Sequence, residues 1–126
     1  MANLVTNGGL ALIAGRIKGS AVNEPKYVGW GTGTTAAAAT DTGLETPATE
    51  ARTAGTTSLV KTTVDNDTYR VVALMTCAGA DKAITEIGVF DADTDGNMLA
   101  RCVFLALNLV VGDSVEFTVD VVNKRA

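Results

Sequence analysis

From Arg52 onward the sequence is a succession of short β-forming runs parted by turn residues, and this rhythm constrains the fold more than any other feature. Thr56 to Val64 and Thr68 to Cys77 flank Asp65-Asn66-Asp67, a polar link of the kind that joins two antiparallel strands. Ile84 to Phe90 and Asn97 to Leu107 flank Asp91 to Gly96 in the same way. After Gly112 and Asp113, the apolar Val115, Phe117, Val119 and Val121 alternate with Ser114, Glu116, Thr118 and Asp120, the period of a strand with one wet face. Strands at such short spacing, with turns rather than crossover helices between them, predict a mostly β fold. The expected form is an antiparallel β-sandwich or a jelly-roll-like barrel.

Ahead of the strands the pattern changes. Between Thr6 and Gly19 the residues Leu10, Ile13, Ala14 and Ile17 fall at helical spacing, with Thr6 or Asn7 placed to cap the start and Gly19 to stop the end. Gly8, Gly9 and Gly15 weaken such a helix in isolation, so its Leu10/Ile13/Ile17 stripe is expected to lie on a surface, either this chain's sheet or a neighbour. From Gly31 to about Glu50 the residues are mainly Gly, Thr and Ala without amphipathic period, which predicts a long loop or arm. The organisation expected is one β domain over 1–126: helix and linker in 1–25, extended loop or arm in 31–50, main antiparallel strands in 51–126. No repeat of fixed period and no second domain are visible.

Chemistry narrows the function. The 126 residues include no histidine, which removes the usual triad base, imidazole metal ligands and the commonest acid–base group near neutral pH. Two cysteines alone do not complete an ordinary zinc site. The expectation is a protein that binds without catalysing and that holds no cofactor. The net charge of −4, with Lys and Arg scattered, argues against nucleic acid. Leu10 to Ala14 is too short to span a bilayer and has no basic segment before it, so neither membrane insertion nor a cleaved export signal is expected. Aromatic residues make up only 5% of the chain, so the core must be filled mainly by Val, Leu, Ile and Ala and will be thin, which favours self-association.

Four features invite sharper readings. Gly29-x-Gly31-x-Gly33 lacks the lysine and spacing of a phosphate loop and reads as a flexible bend beside Trp30. Asp91-Ala92-Asp93-Thr94-Asp95-Gly96 is the front half of a calcium loop, but Cys102 stands where the bidentate glutamate belongs, so a metal at Asp91, Asp93 and Asp95 competes with a plain acidic hairpin turn. Alternation places Glu86 on one side with Ile84, Gly88 and Phe90, and a carboxylate there needs a partner, for which Arg101 on the paired strand is the candidate. Cys77 and Cys102, inside apolar runs, are expected as free buried thiols, with one disulfide the alternative. Tyr27 and Trp30 suit interface anchors or plugs of the sandwich end equally. The candidate partner contacts are Leu10, Ile13 and Ile17 on the helix, Tyr27 and Trp30, and Thr32, Thr34, Thr35 and Leu44 in the loop.

The run Lys26-Tyr27-Val28-Gly29-Trp30-Gly31-Thr32-Gly33-Thr34-Thr35-Ala36, then Ala51-Arg52 with Gly55-Thr56, then Ala83-Ile84-Thr85-Glu86-Ile87-Gly88-Val89-Phe90-Asp91, Leu99-Ala100-Arg101 and a closing Gly112-Asp113-Ser114 strand, resembles small virion proteins of tailed bacteriophages. Such proteins carry capsid decoration (cement) or tail-fibre-like labels. The resemblance implies a protein made in the host bacterial cytoplasm that sits as a homotrimer on the outer head surface of the virion. There it would clamp the major capsid protein, with an arm ordered on binding. A tail-fibre, tail-tip or baseplate-associated adaptor is the first alternative. A carbohydrate-binding module using Tyr27, Trp30 and the Asp91 to Asp95 turn is the second.

Overall fold

A computed structural model describes residues 3–20 and 23–125. Two antiparallel sheets face each other. The five-stranded sheet runs in the order β1 (Asn3–Val5), β7 (Met98–Leu109), β6 (Lys82–Phe90), β2 (Tyr27–Gly31) and β3 (Thr53–Ala54). The three-stranded sheet runs β4 (Thr56–Val60), β5 (Thr68–Thr76), β8 (Ser114–Val122). The fold is thus mostly β and sandwich-like, as the turn-and-strand rhythm predicts, with one helix among the described residues. Both expected hairpins form: β4 pairs β5 and β6 pairs β7.

The core lies between the sheets. Val71, Ala73, Met75 and Cys77 from β5 and its end, with Phe117, Val119 and Val121 from β8, meet Val28, Trp30, Ile84, Ile87, Val89, Ala100 and Cys102 from the larger sheet. Trp30 is 1% exposed and sits edge-on to Phe117, with ring centroids 6.2 Å apart at 88°, so the chain's single tryptophan is a central core residue. Both cysteines are buried and free, as their apolar runs lead one to expect.

Helix α1 (Asn7–Lys18) begins where the Thr6 hydroxyl accepts the Gly9 N–H at 3.0 Å and donates to the Met98 carbonyl at 2.6 Å, so one side chain caps the helix and ties it to β7. Gly19, with φ +80, ends it in the left-handed region, and Arg16 and Lys18 oppose the negative end of its dipole. The face that packs is centred on Gly9 and Leu12 and takes in Ile13 of the expected stripe, but not Leu10 or Ile17. Gly9 approaches the Leu99 carbonyl so closely that a Cβ would lie 2.1 Å from its oxygen. That contact fixes the helix's rotation, and Leu12, three residues on, is therefore the side chain buried. Ile13 is half-buried, while Leu10 and Ile17 stay 60% and 83% exposed.

Candidate protein-binding surface

Strand β6 is buried from Ile84 to Phe90, so both its faces are covered. A register slip between Ile84 and Glu86 breaks the alternation read from the sequence. Ile84 joins Ile87 and Val89 in the core between the sheets, not the face that carries Glu86. Glu86, Gly88 and Phe90 look outward, beneath residues 32–50. That segment is a loop folded back on the sheet, not an outstretched arm.

Glu86 holds it there. The side chain has no solvent exposure, and its Oε2 accepts the backbone N–H groups of Gly33 (2.9 Å) and Thr46 (2.8 Å). Its Oε1 accepts the N–H of Glu45 (3.0 Å) and Nε–H of Arg101 (3.0 Å). The anticipated Glu86–Arg101 pair therefore forms, and Arg101 also reaches Asp41 of the loop at 3.0 Å. Burial pulls the Arg101 guanidinium down, but the bonds to Glu86 and Asp41 outweigh it and hold it above its ordinary value.

The same logic recurs along the loop. Between Gly31 and Glu50 the only charged residues are the acids Asp41, Glu45 and Glu50, and each has a structural partner. Glu45 Oε1 accepts the N–H groups of Thr34 (2.8 Å) and Thr35 (3.0 Å) and Oε2 the Thr35 hydroxyl, bonds that keep its carboxyl below the ordinary range. Glu50 pairs with Lys82 and accepts the Ala78 N–H. Burial raises the Glu50 carboxyl, yet the Lys82 ammonium and the backbone donors prevail and lower it to about 2. Main-chain bonds from Thr32 to Thr46 (2.9 Å) and from Ala48 to Trp30 (3.0 Å) close the loop's base.

The glycine run gives the loop its floor. A Cβ at Gly31 would lie 2.3 Å from the Thr46 carbonyl oxygen, and one at Gly33 2.4 Å from Glu86 Oε2. These glycines are sites of close backbone approach, with Gly31 inside strand β2, and not the flexible bend read from the sequence.

Several expected contacts are corrected by this geometry. Trp30, in the core, offers no surface for a partner or for stacking a sugar ring. Leu44 lies half-buried over Gly29 and Gly88 and holds the loop down rather than reaching outward. Asp91 spends its oxygens on closing its own turn, accepting the Asn97 N–H at 2.7 Å and its Nδ2 at 3.3 Å. The guanidinium of Arg52 lies 3.5 Å from the Phe90 ring centroid and donates to the carbonyls of Ala92 (2.9 Å) and Asp95 (2.7 Å), so a cation is already built into the turn. Asp91, Asp93 and Asp95 do not converge, and among the described residues no three such side chains form a metal-sized group. Tyr27 is half-buried at the start of β2, while Thr32, Thr34 and Thr35 stand exposed on the pinned loop.

Sequence reasoning missed Asp41, Glu45, Glu50 and Arg52 as structural groups. The available signal was that a twenty-residue stretch otherwise free of charge carries acids alone.

At one end of the sandwich an open apolar groove of about 510 Å³ separates α1 from the smaller sheet, lined by Ile13, Ile17, Leu59, Tyr69 and Val121 among others. No helix among the described residues is long and apolar enough to cross a membrane. Compared with family models, curated proteins and solved structures, the chain matches none.

Proposed function

We propose that this chain is a structural protein of a tailed-phage particle: a head decoration protein that self-associates as a homotrimer and binds the major capsid protein on the outer shell, acting by contact and without catalysis. The observation that carries the reading is the clasped loop. Thr32, Thr34 and Thr35 are held outward on a backbone fixed by Glu86 and Glu45, giving a polar surface of small residues whose conformational entropy is lost on folding and not on binding. Such a pre-ordered surface suits repeated docking on a lattice of identical subunits. The virion-protein resemblance, which takes in Gly33, Glu86 and Arg101 of the clasp, points the same way.

Imaging particles assembled with and without the chain tests this. Density on the outer head shell that disappears with the chain is expected, and density confined to the tail would replace the reading with a tail-tip or baseplate adaptor. Thr32→Arg with Thr34→Arg leaves the Glu86 bonds in place and is expected to abolish decoration by a chain that still folds.

A further inference from the structure

We infer that the free edge of β8 docks an extended segment of a different protein, one that alternates apolar residues with lysine, arginine or threonine and adds to the smaller sheet as a further strand beside Ser114 to Thr118. This deepens the decoration reading by naming the kind of segment the shell protein presents, and it rests on that reading for the partner's identity alone.

The sandwich is closed along one side and open along the other. On the closed side β3 of the larger sheet runs through Gly55 straight into β4 of the smaller, and the Gly55 N–H donates to the Lys26 carbonyl at 2.7 Å. On the other side β8 is the last strand of its sheet and lies over β7, with Phe117 and Phe104 ring centroids 6.1 Å apart.

Hydrogen-bond parity fixes which groups of β8 face outward along the sheet. At one end of its ladder the Cys77 N–H donates to the Asp113 carbonyl at 2.8 Å, and at the other the Asn123 N–H donates to the Asp67 carbonyl at 2.9 Å. The bonds to β5 therefore fall on the odd-numbered residues of β8, and the N–H and C=O groups of Ser114, Glu116 and Thr118 point away from β5. Among the described residues these groups have no main-chain partner. The edge of β7 on the same side is free beyond Cys102, where β1 ends, but Thr85 alone stands opposite Phe104, Leu105 and Ala106, and that bulge interrupts its ladder. The regular template is β8.

Side chains select the occupant. The complement of an unpaired edge is another strand, whose main chain supplies the missing bonds. Val115 and Phe117 face the core, Val115 only half-buried, while Ser114, Glu116 and Thr118 are exposed, so the incoming strand is apolar on one face and polar on the other. Across the ladder Glu116 meets Leu74 rather than a cation, and Arg70 on the same strand is engaged with Asp120 at 2.8 Å. A lysine or arginine on the incoming strand answers Glu116. A second copy does the reverse, because β8 against β8 sets the Glu116 and Asp120 carboxylates of the two copies beside one another, and like charges across a strand pair destabilise it.

Amide exchange and chemical shifts of the isotope-labelled chain test this, with a synthetic peptide the length of β8 that alternates valine with lysine and threonine. At about 1 mM peptide the amides of Ser114, Glu116 and Thr118 are expected to shift and to exchange at least threefold more slowly. The same peptide N-methylated along its pairing edge should leave them unchanged. Glu116→Pro removes an N–H that the β5 ladder does not use, so it should fold, as Trp30 fluorescence checks, and lose the peptide. Glu116→Lys keeps the main chain and is expected to weaken binding about fivefold. Amides left unprotected by the peptide, equal binding by its methylated form, undiminished binding to either folded variant, or protection in the chain alone, as a second copy on the edge gives, would each overturn the inference. A chain that decorates heads yet ignores the peptide sinks this inference alone, and one that takes the peptide but is absent from heads sinks the decoration reading alone.

Discussion

Replacing Glu86 by Ala should loosen the whole outer face of the larger sheet. The change removes the acceptor of three backbone N–H groups and strands the Arg101 guanidinium, 2% exposed, with Asp41 as its remaining carboxylate partner. Breaking a buried pair from one side costs about 3–5 kcal/mol. The orphaned amides cost about 1–3 kcal/mol each if they stay dry, but the loop can lift to hydrate them, so the terms do not add. A net loss of about 4 kcal/mol is expected, lowering the melting temperature by roughly 15 °C. Glu86→Gln keeps the shape but not the charge, and its amide meets donors with a donor, so about 2 kcal/mol is expected. Pairing Glu86→Gln with Arg101→Met should destabilise less than the sum of the two by about 1 kcal/mol or more. Urea unfolding followed by the fluorescence of Trp30 measures the stabilities, and amide exchange at Gly33, Glu45 and Thr46 reports whether the loop is released. If Glu86→Ala stays within about 1 kcal/mol of the parent and those amides keep their protection, the carboxylate is not what holds the loop.

Other parts of the structure make equally direct predictions. Gly31→Ala drives a Cβ against the Thr46 carbonyl and should cost about 1–3 kcal/mol, whereas Gly43→Ala meets nothing within 4 Å and should be neutral or stabilise by up to about 1 kcal/mol, both read from thermal melts. In acid, the Glu50 carboxyl should act as a stability switch: lowered from 4.5 to about 2 in the folded chain, it contributes stability above its ordinary value and loses it as pH falls towards 2. Glu50→Gln should therefore flatten the fall of the urea midpoint across that window, and an unchanged slope would assign the acid limb to other groups. On α1, Leu12→Ala should cost about 2–4 kcal/mol and Leu10→Ala less than about 0.5, and the reverse order in urea titrations would refute the observed helix rotation.

The sandwich was legible because its evidence is local. Alternation over Ser114 to Val122 and the polar links at Asp65 to Asp67 and Asp91 to Gly96 report strand and turn without knowledge of anything distant. The Thr6 and Gly19 caps were legible for the same reason. The Glu86–Arg101 pair could be named because a charge in an apolar strand demands a partner and the hairpin supplies one. What escaped depends on contacts across the sequence. The rotation of α1 is set by Gly9 against Leu99, ninety residues away, and the faces of β6 by a bulge that no periodicity reveals. Composition leaves 31–50 open between loop and arm because it is that of unstructured chain, and the segment's order comes from carboxylates anchoring backbone amides, a bond to which side-chain pattern is blind. Trp30 was open between core and surface because one aromatic in a glycine run carries no period.

The glycine floor also separates two jobs that most surfaces combine. The loop's grip on the protein comes from backbone amides, from Leu44 and from three acids, so the exposed side chains of Ala36 and Thr42 owe little to the fold and the fold owes little to them. A foreign peptide spliced between Thr42 and Gly43 would be flanked by Asp41 on Arg101 and Glu45 on Thr34 and Thr35, two anchors that leave its ends fixed and close together. The chain thereby offers a mount whose displayed sequence can be exchanged while the domain beneath stays as it is.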